Sequence, residues 1–529
     1  MNKFYFLSCV GLLSVNTFAQ DNIKIDYKDG SSRTFPTNLV DTLVDNLSSH
    51  KVVLSIPSET EELSYPDMIQ ESQINLNGAD KKQSFNLLQS ISILQSANSK
   101  LSGDYVINVG NQSSATIVIP YLNDFSNLKV SLKSSGSYVY VDGKKFTSGD
   151  AVNFSKPVKF QIVAFNGDIR SYEISVKNSS LPILSIDGSS VTSDWSEQKI
   201  SLTSGISNIT GEVKGKGSHF KSGLKNSYSL KFDDKQTMLS FPSAKRWVLL
   251  SAQHDPSLLR TSVGFDLAKK LFSFDWTPSS EPVELVLNGK YQGTYFLTEQ
   301  IRICKNRIEE GAVISAESEV KEGDDSFVLS QSGLRFVMTD PETGFDGTQL
   351  LRSKRKLNAF ESVLWKGQSI SNSVADLKTF ADWYVFSEWM KNENILMSDD
   401  YMTMRPDGSI AMGPIWDQSQ TFGSQDEFDE EGWVSKDNSF VAQLLKNNTF
   451  RSYVTERLEY LSNHESDILS IVTSRANAIL ESAAANEAIW HSLGASQCDV
   501  ETVTPLFESK KQQISDWLIR RLQWMKQNF

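Results

Sequence analysis

Histidine and cysteine are scarce in this chain, with 5 and 3 copies. The histidines are scattered, and no Cys/His spacing of the metal-binding type occurs. A basic excess is also missing. Lys and Arg total 52 against 64 Asp and Glu, a net charge of −12. That balance argues against bulk binding to nucleic acid or to an anionic membrane surface, but leaves room for a local basic pocket for phosphate. Beyond the N-terminus no long apolar run follows, so no segment reads as membrane-spanning.

The one apolar run lies at the start. Lys3 supplies a short positive region, Phe4 to Val15 is apolar, and Thr17-Phe18-Ala19 fits a small-x-Ala cleavage site before Gln20. The run is too short to cross a bilayer. Residues 1–19 therefore read as a signal peptide, and the mature protein as soluble and exported: periplasmic, surface-displayed or secreted. Cys9 falls within the leader. An oxidising compartment permits Cys304 and Cys498 to pair, and two buried free thiols are the equal alternative.

With 529 residues and 39% hydrophobic content, the chain has material for several domains. Residues 20–100 are weakly patterned and read as a small accessory region or linker, with Ile23 to Tyr27 and Val52 to Ile56 as strands and Phe85 to Leu94 as a helix candidate. Residues 101–180 read as all-β. Short runs rich in Val, Ile and Tyr (Ala115 to Tyr121, Tyr138 to Val141, Val158 to Phe165, Tyr172 to Val176) are punctuated by Asp142-Gly143 and Asn166-Gly167 turns, which predicts an Ig-like sandwich serving as a spacer.

From residue 181 to 529 the pattern is α+β. A Gly-containing turn, VKGKGSHF at 213–220, precedes a strand, Tyr228 to Phe232, that carries Lys231. Trp247 to Ser251 reads as a strand, Asp255 to Leu271 as a helix with Arg260 on it, and Glu284 to Glu299 as a hairpin around Asn288-Gly289. This order suits a phosphate site. Backbone N–H groups near Gly215 and Gly217 can approach phosphate oxygens closely because glycine lacks a Cβ, and Lys231 can supply a fixed positive charge. The competing readings are simple ones: a lone Gly-x-Gly is common, and Lys231 serves equally well as an edge-strand solubiliser. Residues 310–345 read as an acidic, Gly-rich insertion or long loop, and Gln425 to Glu431 as a solvated acidic loop. Lys354 to Lys366, Val374 to Met390, Phe450 to Leu461, Ser466 to Ala485 and the last helix, with Ile514, Trp517, Leu518, Leu522 and Met525 on one side, read as helices.

Residues 383–423 are the densest stretch. An aromatic helix around Trp383 and Trp389 leads into Lys391-Asn392-Glu393-Asn394 and then Asp399-Asp400. Tyr401 to Met404 and Ile410 to Ile415 form a hairpin about Asp407-Gly408, which places Asp417 just past a strand end. A carboxylate so delivered suits metal or phosphate chemistry. On pattern alone, an ordinary hairpin with a solvated Asp is the simpler reading.

Taken together, these stretches resemble the CotH family of spore-coat-type, atypical protein-kinase-like enzymes. The resemblance runs through Lys214-Gly215, KNSYSLK at 225–231, KRWVLL at 245–250, Leu258-Leu259-Arg260, VELVLNGKYQGTYFLTEQIRICKNRIE at 283–309, SEWMKNEN at 387–394, MGPIWD at 412–417 and the ending WLIRRLQWMKQNF. It implies an α+β kinase-like domain over 181–529 that transfers phosphate from ATP to protein Ser/Thr hydroxyls with Mg²⁺ or Mn²⁺. By position, Lys231 is the nucleotide lysine, Glu299 sits at the nucleotide pocket, Arg260 is structural or faces phosphate, and Asp417 is the metal-binding Asp, with Asn392 as a second metal-site candidate. Two positions depart from the family pattern: Asn394 and Ser419 stand where it usually has Asp. An amide cannot accept the hydroxyl proton at neutral pH, and the missing second carboxylate weakens a hard-cation site unless Asp399 or Asp400 compensates. The Gly motif also differs, with Lys214-Gly215-Lys216-Gly217 where the family tends to Arg-Gly-Asn. Three readings follow: an exported protein kinase acting on a protein substrate; a pseudokinase used as a cell-envelope binding or scaffold protein; and an adhesion or polysaccharide-binding protein working through its sandwich.

Overall fold

Period-two burial runs through several of the described strands, and the two compact units of the chain are described separately. The computed structural model describes residues 86–529 apart from short loop segments (102, 121, 123, 137, 165–167, 204, 218–219, 222, 321–322, 342–346 and 424–429), and the backbone alone of five strands within residues 22–64. The leader at 1–19, the Asn166-Gly167 turn and most of the acidic loop at 425–431 lie outside the described residues.

The first unit comprises Met1–Ser179 and Ser496–Thr502. In its described part Leu88–Ile93 pairs with Ser131–Ser134 on one side and Tyr105–Asn108 on the other. A five-stranded sheet runs in the order Lys144–Phe146, Tyr138–Val141, Val158–Val163, Ile169–Lys177 and Ser114–Val118, and its last pair is parallel. Val158, Phe160 and Ile162 alternate inward along one strand, which is how a pleated strand fills one face. The helix expected at Phe85 to Leu94 is replaced, over the described residues, by a strand, Leu88–Ile93. A run this short does not separate the two periods, and the β-branched Ile91 and Ile93 favour the strand. Cys498 belongs to this unit and Cys304 to the other, and neither is in a disulfide.

The second unit comprises Ser180–Ala495 and Val503–Phe529. It opens with a closed seven-stranded barrel in the order Ile183–Gly188, Ser196–Leu202, Ile209–Gly215, Tyr228–Gln236, Ala244–Leu250, Lys290–Glu299 and Ser280–Leu287. Parallel pairing of the first strand with the last closes it, so no strand edge is left open. Its interior holds Leu230, Phe232, Trp247, Leu249, Tyr295 and Leu297. The Asn288-Gly289 turn has φ of 49° and 73°, the positive pair that a two-residue hairpin turn requires.

Seven helices and a second sheet complete the described fold. Helix α1 (Arg260–Leu271) precedes the Ser280–Glu299 hairpin, and α2 (Thr348–Trp365) and α3 (Leu377–Met390) follow it. The helix expected from Asp255 begins only at Arg260, because Asp255 accepts hydrogen bonds from the Ser257 and Arg260 N–H groups and acts as a stop ahead of the first turn. Residues 310–345 are not a long loop. They carry Ala312–Ala316, Ser326–Val328 and Arg335–Asp340, which join Asp400–Met404 and Ile410–Met412 in a five-stranded antiparallel sheet. The return arm of the last hairpin ends at Met412 rather than Ile415, since Pro414 has no N–H for the ladder. Helices α4 (Ser439–Leu444), α5 (Asn448–Ser462), α6 (Glu465–Trp490) and α7 (Val500–Asn528) follow. Almost every residue of α3 is buried, on all faces, as in a helix at the centre of a helical layer.

Candidate functional site

Helix α3 delivers the polar loop. It ends at Met390, and Lys391 reverses the chain with φ 51°. The Asn392 N–H then donates to the Ser387 carbonyl at 2.9 Å, while the Asn392 side-chain oxygen accepts the Asn394 N–H at 3.1 Å. The Asn394 carbonyl accepts the Met397 N–H at 2.8 Å. These bonds hold residues 392–398 as one compact turn that leads into the Asp400–Met404 strand.

The two adjacent acids part company there. Asp400 is buried and accepts the Trp383 indole N–H at 2.7 Å and the Leu396 N–H at 2.6 Å. Burial pushes its carboxyl up to about 6, against those two donors and with the help of Asp399. Asp400 thus braces the loop against α3. Asp399 turns the other way and is exposed. The surrounding protein raises its proton affinity and so does Asp417, while Lys216 and the Tyr401 hydroxyl lower it; water on its open side screens these effects.

Asp417 follows Trp416 and is half-buried. Its Oδ1 accepts the Thr261 hydroxyl at 2.7 Å and the Ser419 N–H at 2.9 Å. The same hydroxyl oxygen accepts the Gln418 N–H at 3.1 Å, so α1 fixes the segment that carries Asp417. Asn392, Asn394, Asp399 and Asp417 line one cavity of about 40 Å³, together with Ser398, Asp400, Trp416 and Gln418, and the Asp400 carboxylate is taken up by Trp383 and Leu396. That volume holds an ion or a single water, not a nucleotide. Two carboxylates and two amides form an all-oxygen donor set, which suits Mg²⁺ or Mn²⁺. Among the described residues no group of three His, Cys, Asp or Glu side chains is placed to hold a metal. A hard cation held by Asp399 and Asp417 would have to take its remaining ligands from water and phosphate, as Mg²⁺ does.

The other expected residues lie apart from this cavity. Gly215 donates its N–H to the Thr192 carbonyl at 2.6 Å, and a Cβ there would meet the Phe220 ring at 2.0 Å; its lack of a side chain serves packing. Gly217 has φ +89°, and a Cβ there would meet nothing within 4 Å, so it is an open turn. Lys231 points outward from the barrel and pairs with Glu212 at 2.5 Å, its cross-strand neighbour. Its ammonium lies 5.8 Å from the Trp195 ring centroid. Arg260 is buried and paired with Asp255 at 2.5 Å. Glu299 is buried, lies 3.4 Å from Arg307 and accepts the Ser279 N–H at 3.0 Å. It lines a separate cavity of about 320 Å³ with Lys269, Asp275 and Trp276.

Sequence reasoning passed over two residues here. Thr261 anchors Asp417, yet nothing in sequence links positions 156 apart. Lys216, whose backbone N–H donates to the Ser227 carbonyl at 2.8 Å, lays its ammonium 5.5 Å from the Trp416 ring centroid, within electrostatic reach of Asp399. Its signal was the departure from the family's Gly motif.

A closed seven-stranded barrel, a five-stranded antiparallel sheet and helices make the second unit a mixed α/β structure. The family model described as CotH kinase protein matches residues 213–525, more than half of the chain, and the chain belongs to that family. No curated protein matches it. Among the described residues no helix is long and apolar enough to cross a membrane.

Proposed function

We propose that this protein is an exported kinase that transfers phosphate from ATP to protein Ser/Thr hydroxyls with Mg²⁺ or Mn²⁺. The observation that carries this reading is the convergence of Asp399, Asp417, Asn392 and Asn394 on one ion-sized cavity. Asp417 and Asn392 are the candidate metal ligands, and Asp399 supplies the carboxylate that Ser419 and Asn394 do not. When bound, the divalent ion offsets charge on the phosphate oxygens. Lys231, oriented by Glu212, is the candidate nucleotide lysine, and Glu299 marks the wall of a cavity large enough for part of a nucleotide. The β-rich residues 101–180 are read as an Ig-like spacer, supported by a five-stranded sheet whose neighbouring strands Val158–Val163 and Ile169–Lys177 alternate buried residues.

A second reading keeps the site and drops the chemistry. Asn394 cannot act as a general base, which favours a pseudokinase that binds nucleotide and serves as an envelope scaffold. Thermal unfolding with ATP, with and without Mn²⁺, tests both. A metal-dependent rise in Tm is expected in either case, because a ligand that binds only the native state stabilises it. It should be lost in Asp399→Asn and in Asp417→Ala, whose carboxylates line the cavity. No rise at millimolar ATP would sink both readings. Phosphate transfer to protein hydroxyls, raised by Asn394→Asp, then separates kinase from scaffold.

A further inference from the structure

A cation lies beside the acidic cavity, against the Trp416 ring that lines it. Lys216 leaves the end of the Ile209–Gly215 barrel strand, where its N–H is tied to the Ser227 carbonyl. Its half-buried side chain lies over the Trp416 ring. Trp416 and Asp417 are consecutive, and both line the cavity with Asp399. The ammonium is thus held against the wall that carries one carboxylate and acts on the other. Gly217, next along, has φ +89°, and a Cβ there would meet nothing within 4 Å, so the strand ends in an open turn just past Lys216.

We infer that Lys216 is the resident counter-ion of the Asp399–Asp417 cavity, competing there with a divalent cation and moving onto the phosphates of a bound nucleotide. The inference rests on the proposed nucleotide site and adds a coupling to it. Two unlike cations contend for the same pair of carboxylates. A phosphate-bearing ligand relieves that contest by drawing the ammonium away, so nucleotide and metal strengthen each other's binding by the same factor. The indole face gives the ammonium a fixed resting place. A lysine suits this role better than an arginine because it is a compact point charge on a flexible stem.

The test uses the purified protein with two probes: Mn²⁺ alone, followed by electron paramagnetic resonance, and metal-free ATP, followed by calorimetry. Lys216→Asn should bind Mn²⁺ about tenfold more tightly, because the competitor is gone, and metal-free ATP about tenfold more weakly, because a phosphate contact is gone. Lys216→Arg should keep both affinities near wild type. Opposite movement of the two affinities in one variant is not the signature of a damaged fold, and an unchanged Tm for Lys216→Asn checks that directly. Wild-type binding of Mn²⁺ or ATP with neither affinity altered in Lys216→Asn overturns the counter-ion role and leaves the site standing. Failure of the wild type to bind either probe overturns the site and the inference with it.

Discussion

The Thr261 hydroxyl donates to Asp417 Oδ1 at 2.7 Å across 156 positions of sequence, so the first turn of α1 sets the aim of the candidate metal ligand. Thr261→Val keeps the volume and the β-branch and removes the donor. It leaves the Gln418 N–H without its acceptor as well. A loss of about 1–2 kcal/mol in unfolding free energy is expected from those buried groups. The sharper consequence concerns the site: an outer partner of a metal ligand typically contributes about tenfold or more to metal affinity. Mn²⁺ affinity should fall by that order in Thr261→Val, whereas Thr261→Ser, which keeps the hydroxyl, should restore it. Equal affinities in the two variants would show that the hydroxyl does not position Asp417.

Much of this architecture can be read from local pattern. The Asn288-Gly289 hairpin, the hairpin that delivers Asp417 and the amphipathic α5 and α7 announce themselves through turn residues and period. What stays hidden is division of labour between neighbours. Asp399 and Asp400 look equivalent as a pair, yet φ 57° at Asp399 sends it outward while Asp400 takes the Trp383 indole. Gly215 and Gly217 look like one motif, yet the first makes room for Phe220 and only the second is an open turn. Lys231 looks like a lone cation until barrel register sets Glu212 beside it. These are consequences of side-chain direction and long-range pairing, which a single sequence does not encode locally. The insertion-like composition of 310–345 misled for a related reason: its polar turns outnumber three short strands that gain their stability from the sheet they join.

A buried lysine gives the second unit a pH signature. Lys225 is buried, donates to the Thr294 carbonyl at 2.7 Å and to Asn486 Oδ1 at 2.8 Å, and so ties α6 to the barrel. Burial lowers its pKa to about 7, partly opposed by Glu284 and Asp255. A base with a folded pKa below its unfolded one costs stability while protonated. The unfolded chain then binds more protons between pH 7 and the ordinary lysine range, so stability rises with pH through that window, by up to about 1.4 kcal/mol per unit. Lys225→Met lacks this term. The stability of wild type relative to Lys225→Met, from urea midpoints, should therefore grow between pH 7 and pH 9. A constant difference would mean that the Lys225 amine keeps its ordinary affinity for the proton.

The last helix reaches the site through one buried ion pair. Arg521 lies 3.2 Å from Glu388, and neither side chain is exposed to solvent. Its guanidinium also donates to the carbonyls of Glu388 at 2.9 Å, Glu430 at 2.6 Å and Gly432 at 2.7 Å. Glu388 in turn accepts the Val434 and Ser435 N–H groups at 2.9 Å. It sits in the last turn of α3, directly ahead of the loop that carries Asn392 and Asn394. Read from sequence, Arg520 and Arg521 look like one polar flank, but only Arg521 is enclosed. Truncating one partner of such a pair leaves a buried charge uncompensated, so Arg521→Ala should cost about 3–5 kcal/mol. Arg521→Lys should recover little of that, because a single ammonium cannot span carbonyls and carboxylate as the planar fork does. The two variants should also lose metal-dependent stabilisation by ATP, since the end of α3 sets where Asn392 and Asn394 stand. A lysine variant as stable as wild type would show that charge alone holds this junction, and that the fork geometry is dispensable.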